Sequence, residues 1–367
     1  MEPAAIPKER EPRRRAMRGR RRRGRPRLRR CGSPEIAVFS TVAAQDRAGS
    51  WRVLIRGAVY EAETETLQRR LLLRLLRKVM DVTPDELDTE LFRNRVRYFV
   101  ARTEKGHRVL VQLGARRVLL AKRSRRNGQF RGVVRISESE LASLHSAGVV
   151  RDNTLTIEVE TLDEPAQASG HVQLVPPVGW SVISDIDDTI KVSSVTDRRE
   201  LLANTFLRPF QAVGGMAERY QGWAEQGVAF HYVSSSPWQL HHALSELCVA
   251  HGFPKGSFHL RSFRLRDHML RRVLLIRRTG KRAAIRELLE QFPHRRFVLV
   301  GDSGERDAEL YAAAARRYPN QVAAIFIRQL PERPLDAARS AKVFRNVPRD
   351  RWQLFERPEE LPSRLGG

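Results

Sequence analysis

Three apolar runs in the second half of this 367-residue chain each end in a dense polar cluster, and that repetition limits the possible folds more than any other feature. The clusters are DIDDT (185–189), SSSPW (234–238) and GDSGERD (301–307). In VISDIDDTIK three carboxylates fall within four residues. Like charges this close raise one another's pKa, so the cluster calls for a cation or for hydrogen-bond donors.

From Gly179 onward, apolar runs alternate with segments of helical period. SVISDI, FHYVSS, SFHLRSF, RFVLVGD and VAAIFIR have the continuous apolar character of strands buried on both faces. Between them, MAERYQGWAEQG, WQLHHALSELCVAHG, KRAAIRELLEQF and RDAELYAAAARRYP have helical spacing and mostly stop at Gly or Pro. The pattern predicts a doubly wound α/β domain over 176–335, with ligands beyond the carboxyl ends of the strands, where the polar clusters fall. Residues 336–367 read as a C-terminal extension.

The region 36–175 reads differently. WRVLIRGAVY, RVLVQLG, RRVLLAKR, FRGVVRIS, LTIEVETL and ASGHVQLV are strand-like, several alternate polar with apolar residues, and many are separated by turn residues. This spacing predicts a β-rich, sandwich-like domain, and Pro176 and Pro177 mark its end. One helix interrupts it: TLQRRLLLRLLRKVM sets Leu67, Leu71, Leu72, Leu75 and Val79 on one stripe opposite an Arg-rich face. That face reads as solvated, with contact to anionic lipid as the functional alternative.

The net charge of +25 comes from 67 basic residues, all but 8 of them Arg. Part of it sits in EPRRRAMRGRRRRGRPRLRR (11–30), within a tail over 1–35 that carries too much like charge to fold alone. The tail reads as a disordered extension, or as an arm for nucleic acid or an acidic membrane. No apolar run is long enough to cross a bilayer and the N-terminus has no signal-peptide core, so a soluble or peripheral protein is expected. Cys31 and Cys248 have no metal-ligand spacing, and Cys248 reads as a small core residue. TGKR lacks the first Gly of a nucleotide phosphate loop, which argues against an ATPase.

Carboxylates from two strand ends can hold a magnesium ion, while a hydroxyl and an ammonium can hold phosphoryl oxygens; Lys281 opens a helix between the second and third clusters. The series hhhDxDxT, strand-end Ser, Lys and GDxxxxD resembles the haloacid dehalogenase superfamily of phosphotransferases. More narrowly, SDIDDTIKVSSV, FHYVSSSPWQL, HGFPKGSFHLR and FVLVGDSGERDAELY resemble the catalytic domain of actin-patch-associated phosphatidate phosphatases, relatives of the lipins. The resemblance spans roughly 176–330 and implies an immunoglobulin-like domain before it.

Carried over, the resemblance implies Asp185 as the nucleophile that forms an aspartyl-phosphate, and Asp187 as general acid/base. Asp188 stands where many relatives have Gly and receives no catalytic role. Thr189 would brace the loop. Ser234 would donate to a phosphoryl oxygen, with Ser235 as the competing assignment because the serine run leaves the register open. Lys281 would neutralise charge on Asp185 and the phosphoryl group. Asp185, the carbonyl of Asp187, and Asp302 would hold Mg2+, with Asp307 in support. Ala308 replaces a Pro frequent in the family, away from the chemistry. Any one of these Asp residues alone could be a helix cap. His231 and His259 read as core residues, and Trp238 carries no firm role. Arg261, Arg264 and Arg266 read as surface charge, with a grip on phosphate or lipid head groups as the alternative.

The implied function is a Mg2+-dependent phosphatidate phosphatase, cytoplasmic and peripheral on an anionic membrane, that releases diacylglycerol and phosphate. The alternatives are a soluble phosphatase of the same fold acting on another phosphomonoester, such as nucleic-acid ends, and a phosphatidate-binding module without turnover.

Overall fold

The computed structural model describes residues 33–61, 67–83, 85–103, 105–195, 197–261 and 280–366. The basic tail, apart from its last three residues, and Arg264 and Arg266 lie outside the described residues, as do the side chains of Leu67, Leu71 and Leu72. Alternating sequence makes the first half a sheet. It runs through β1 (Pro34–Val38), β2 (Thr41–Gln45) and β3 (Trp51–Glu61), then helices α1 (Leu67–Met80) and α2 (Glu90–Val100). There follow β4 (Arg102–Thr103), β5 (Val109–Leu113), β6 (Arg116–Leu119), β7 (Gln129–Ile136), α3 (Glu138–Ser146), β8 (Val150–Arg151), β9 (Thr154–Thr161) and β10 (Gln167–Val175). All six stretches read as strands are strands. They belong to one ten-stranded sheet that is antiparallel except where β10 runs beside β2. In β9 the buried residues are Leu155, Ile157, Val159 and Thr161, the period-two signature of a strand with one face on a core. That core also takes Val53 and Ile55 from β3, Val111 from β5 and Val172 from β10.

The second half consists of β11 (Val178–Ser184), α4 (Arg198–Phe206), α5 (Met216–Ala224), β12 (Ala229–Pro237), α6 (His241–Ala250) and β13 (Gly256–Arg261). It continues with α7 (Gly280–Gln291), β14 (His294–Asp302), α8 (Asp307–Arg317), β15 (Val322–Arg328), α9 (Ala337–Val343) and β16 (Trp352–Phe355). Six strands pair in the order β13-β12-β11-β14-β15-β16, every neighbour parallel. Both faces are covered. Val182, Val298 and Val300 pack with Tyr220 and Trp223 of α5 and Leu244 of α6, while Ile183 and Leu299 pack with Leu288 and Leu289 of α7 and Tyr311 and Ala312 of α8. Burial on two sides explains why Phe297, Val298, Leu299 and Val300 form an unbroken apolar run. The stretch after 335 carries this sheet onward: β16 is its sixth strand, Phe355 and Leu361 enter the core, and Trp223 Nε1 donates to Pro362 O at 2.8 Å.

The helix expected at TLQRRLLLRLLRKVM forms as α1, but it faces protein. Leu76 and Met80 are buried, Leu73 and Val79 pack beside them, and Arg74, Arg77 and Lys78 face outward. With Phe92, Val96 and Phe99 of α2, these residues join the core cluster on one face of the parallel sheet. Buried Arg95 of α2 ties the contact down, donating from Nη1 to Thr205 O at 2.8 Å and Arg208 O at 2.6 Å at the end of α4. Two helices inserted in the first half are thus part of the second half's core.

Each of these buried apolar side chains contributes about 1.5–3 kcal/mol, against a net domain stability of roughly 5–15 kcal/mol. A fragment beginning at residue 176, which lacks α1 and α2, is therefore expected to bind a hydrophobic dye and to melt without a cooperative transition. A soluble fragment with a sharp calorimetric transition would show that the helices are dispensable.

Candidate active site

Parallel pairing in register brings the acidic clusters together. Ser184, the last residue of β11, lies opposite Val300 of β14, and Asp185 N donates to Val300 O at 2.8 Å. Asp185 and Asp302 therefore leave neighbouring strands at almost the same level. The strand order changes direction between β11 and β14, the kind of crevice where open α/β sheets bind ligands. Gly301 makes room for the third carboxylate: a Cβ there would lie 2.5 Å from Oδ2 of Asp307, the first residue of α8.

Into this acidic pocket reaches Lys281, from the first turn of α7. Its Nζ lies 2.8 Å from Asp185 Oδ1, 2.9 Å from Glu305 Oε2 and 2.7 Å from Asp307 Oδ1. All four residues are buried. Burial opposes the charge on Lys281, but Asp185, Asp307 and Glu305 outweigh it and hold the ammonium well above its ordinary pKa. The carboxylates are under-compensated in return. Burial, with repulsion from Asp307, Asp302 and Glu305 only partly offset by Lys281, pushes Asp185 well up, and burial together with Asp307 pushes Asp302 up to about 7.

The residues present fit a divalent cation. One carboxylate oxygen from each of Asp185, Asp302 and Asp307 can lie within 4.8 Å of the others, and all three residues are buried. Asp185 Oδ1 is paired with Lys281, but Asp185 Oδ2 and Asp302 Oδ2 accept no hydrogen bond, while Asp302 Oδ1 accepts from Gly304 N at 2.7 Å and Glu305 N at 3.0 Å. Buried carboxylate oxygens left without donors are what a metal ion satisfies, and an all-oxygen set suits a hard cation.

Asp187 has a different environment. Its carboxylate accepts at Oδ1 from Lys191 Nζ at 2.9 Å and Ser193 Oγ at 2.7 Å, and at Oδ2 from Ser234 Oγ at 3.0 Å and Ser236 Oγ at 2.9 Å. Burial alone would raise its pKa, but the Lys191 charge and the hydrogen bonds from Lys191, Ser193 and Ser236 hold it well below the usual carboxylate range. Its side chain is not in the acidic trio, and the role expected of Asp187 toward the metal is through its carbonyl alone. Asp188 closes the loop. Its φ of 55° is the left-handed conformation that favours Gly, and its carboxylate accepts the backbone N–H groups of Ser193, Ser194 and Val195 at 2.7, 2.9 and 2.7 Å. It acts as a clasp, consistent with a role outside the chemistry.

The remaining expected residues divide. Ser234 is occupied by Asp187, whereas the buried hydroxyl of Ser235 has no partner. Thr189 is buried and its Oγ1 makes no hydrogen bond, so any bracing comes from its backbone N–H, 3.3 Å from Ile186 O. His231 is a core residue, with Nδ1 2.9 Å from Ser257 Oγ and Nε2 3.4 Å from Ser181 Oγ. His259 Nε2 meets Ser257 Oγ at 3.0 Å, and its Nδ1 is unpartnered. Cys248 is buried in α6 as expected. Glu305, Lys191, Ser193 and Ser236 were not singled out. Lys191 and Ser193, two residues apart just after the DIDDT loop with exposed Val192 between them, had a period-two polar pattern that marks one shared face.

Residues 180–329, which include every residue of the three clusters, match the family model for the catalytic domain of phosphatidate phosphatase APP1. Phosphatidate phosphatase APP1 of Saccharomyces cerevisiae is 32% identical over 212 residues, covering 57% of this chain and 36% of the yeast protein. An uncharacterized protein of Schizosaccharomyces pombe is 30% identical over 190 residues, covering 49% of this chain and 31% of that protein. The chain thus spans about a third of the length of these relatives. Among solved structures, a Bacteroides uniformis beta-glucuronidase 2 covers 81% of this chain and 36% of its own at 8% identity, with a TM-score of 0.22 that bears on neither fold nor chemistry.

The acidic trio sets a pH dependence. Asp302 is raised in the folded protein from an ordinary 3.8 to about 7, so its stabilising contribution is complete below about 3.8 and is lost as pH rises through about 7. A bound cation restores it and displaces the proton. Magnesium is therefore expected to raise the melting temperature more at about pH 8 than at about pH 5.5, and Asp302→Asn to remove that difference. Equal magnesium shifts at both pH values, or in both proteins, would exclude the trio as a metal site.

Proposed function

We propose, from the premise that residues 180–329 belong to the phosphatidate phosphatase APP1 catalytic-domain family, that this chain hydrolyses phosphatidate to diacylglycerol and phosphate on a haloacid-dehalogenase-like fold. The observation that carries the reading is the separation of two carboxylates in one loop. Asp185 keeps Oδ2 free of hydrogen bonds while Lys281 pairs with Oδ1, and Asp187 is held apart by its own donors.

In this reading an oxygen of Asp185 attacks phosphorus, an Asp185–phosphate bond forms and the bond from phosphorus to the ester oxygen breaks. Asp187 gives the departing alkoxide its proton. Water then attacks the phosphoryl group, Asp187 takes the proton from that water, and inorganic phosphate leaves with Asp185 regenerated. Lys191, Ser193 and Ser236 favour the carboxylate form of Asp187, the form the second half-reaction requires. The acid form needed in the first half-reaction must be gained against Lys191. Lys281 neutralises charge on Asp185 and on the transferring group, and Ser235, with its free hydroxyl, donates to a phosphoryl oxygen while Ser234 steadies Asp187. Asp185, Asp302 and Asp307 would hold Mg2+, which when bound supplies positive charge to offset that of the phosphoryl group. Among the described residues no helix is long and apolar enough to cross a membrane. A net charge of +25 supports work at an anionic membrane surface from the cytoplasmic side.

Asp185→Asn is expected to abolish turnover and phosphoenzyme formation with the fold intact. Asp187→Asn should slow turnover at least about a hundredfold, and Asp188→Asn, which keeps an acceptor for the loop N–H groups, far less. Equal losses at Asp187 and Asp188 would contradict the assigned register.

Phosphate release from phosphatidate vesicles, compared with release from 3′-phosphorylated oligonucleotides, decides the substrate. Preference for the oligonucleotide would replace the lipid reading with that of a soluble phosphatase. Tight vesicle binding without phosphate release in magnesium would make the chain a lipid-binding module.

A further inference from the structure

Beside Asp187 lies a small cleft whose chemistry is unlike the rest of the site. It is a cavity of about 80 Å³, space on the scale of a few water molecules. On one side are Asp187, Ser235, Ser236 and Glu305, the polar groups of the catalytic end. Across from them stand Phe99 of α2, Leu201, Leu202 and Phe206 of α4, and Leu240. Thr205 also borders the cleft, but its hydroxyl is turned back onto its own helix, donating to Leu201 O at 2.6 Å. Val195, Pro237 and Arg261 complete the lining.

This apolar wall is held in place. Phe206 meets Phe99 edge-on at 5.2 Å between ring centres and Phe92 at 6.4 Å, and Arg95 fastens the end of α4 to α2 through the carbonyls of Thr205 and Arg208. A fixed hydrocarbon surface against a proton-transferring carboxylate faces whatever is bonded to the oxygen that Asp187 protonates.

We infer that the cleft between α2 and α4 is the subsite for the leaving group, and that Phe99, Leu201, Leu202 and Phe206 select phosphomonoesters whose first carbons carry no free hydroxyl. The inference rests on the phosphatase reading above and specifies its substrate. A free hydroxyl placed against the apolar wall would leave water for hydrocarbon, with only the already donating hydroxyl of Thr205 to accept a bond from it there, whereas an esterified or hydrocarbon carbon loses nothing. The volume admits only the part of the leaving group next to the ester oxygen, so the remainder of the molecule passes outside the cleft and its length is not selected.

Short-chain dihexanoyl phosphatidate and glycerol 3-phosphate share a phosphate and a three-carbon skeleton and differ in ester against hydroxyl. The wild type is expected to favour the former in kcat/KM by at least about tenfold, the scale on which a hydrophobic pocket discriminates. Leu201, half-buried at the rim, is the position to change. Leu201→Asn should narrow that ratio at least about threefold and Leu201→Met should keep it, and Leu201→Phe, which fills the cleft, should lower kcat/KM for the phosphatidate; melting temperatures establish which variants fold. A ratio unmoved in a folded Leu201→Asn protein, or an unchanged kcat/KM for the phosphatidate in a folded Leu201→Phe protein, overturns the subsite. Equal wild-type efficiency on both substrates also overturns it and leaves the phosphatase reading standing. Phosphate release from neither substrate overturns both.

Discussion

Lys281 meets Asp185, Glu305 and Asp307, and the site follows from how incompletely it balances them. With Asp302 there are four buried carboxylates around, among the described residues, a single ammonium. Leaving a buried charge unpaired is costly enough that the group takes up a proton or finds a cation. Asp302, raised to about 7, stands at the balance point between those outcomes. The parallel sheet makes the crowding unavoidable, because strands paired in register end together, Asp185 follows directly on β11 and β14 ends in Asp302. The fold concentrates negative charge at the place where its topology leaves a crevice.

Two residues further along the same loop the opposite solution is reached. Asp187 is also buried, yet Lys191 and three serine hydroxyls hold it ionised. Carboxylates driven apart in pKa by their surroundings can take different parts in one reaction. The clasp at Asp188 supports that separation. By accepting three successive N–H groups from 193–195 it fixes Ser193 against Asp187, so a residue without chemistry of its own determines where the donors stand.

The sequence disclosed those features that depend on local pattern. Period-two alternation marked the strands of the first half, unbroken apolar runs marked the first five parallel strands, and strand-end clusters located Asp185, Asp302 and Asp307. Features requiring distant partners stayed hidden. The stripe of α1 was visible, but which surface it covers depends on α4 and the parallel sheet, and among its described side chains Leu76 and Met80 are the fully buried ones. Glu305 was visible as an acid in GDSGERD, but its pairing with Lys281, 24 residues away, follows from the packing of α7 beside β12, β13 and α8. The serine run was ambiguous for a definite reason. Near the end of β12 the pairing with β13 shifts register between Val233 and Pro237, so simple alternation does not say which hydroxyl faces inward.

The catalytic-domain family model matches 180–329, yet the core that supports the site does not stop at either boundary. Leu76, Met80, Phe92, Val96 and Phe99 come from before it, and Phe355 and Leu361 come from after it. Inside those limits lie the groups that would meet phosphate and metal, whose chemistry allows few substitutes. Outside them lie apolar contacts that any side chain of suitable volume can supply. A motif-bearing segment and a folding unit are therefore different objects in this chain. Phe99 belongs to both kinds of constraint, since it packs against Phe206 as a core residue and borders the same cleft as Asp187. Through it, a helix inserted in the β-rich half acquires a surface at the catalytic end of the parallel sheet.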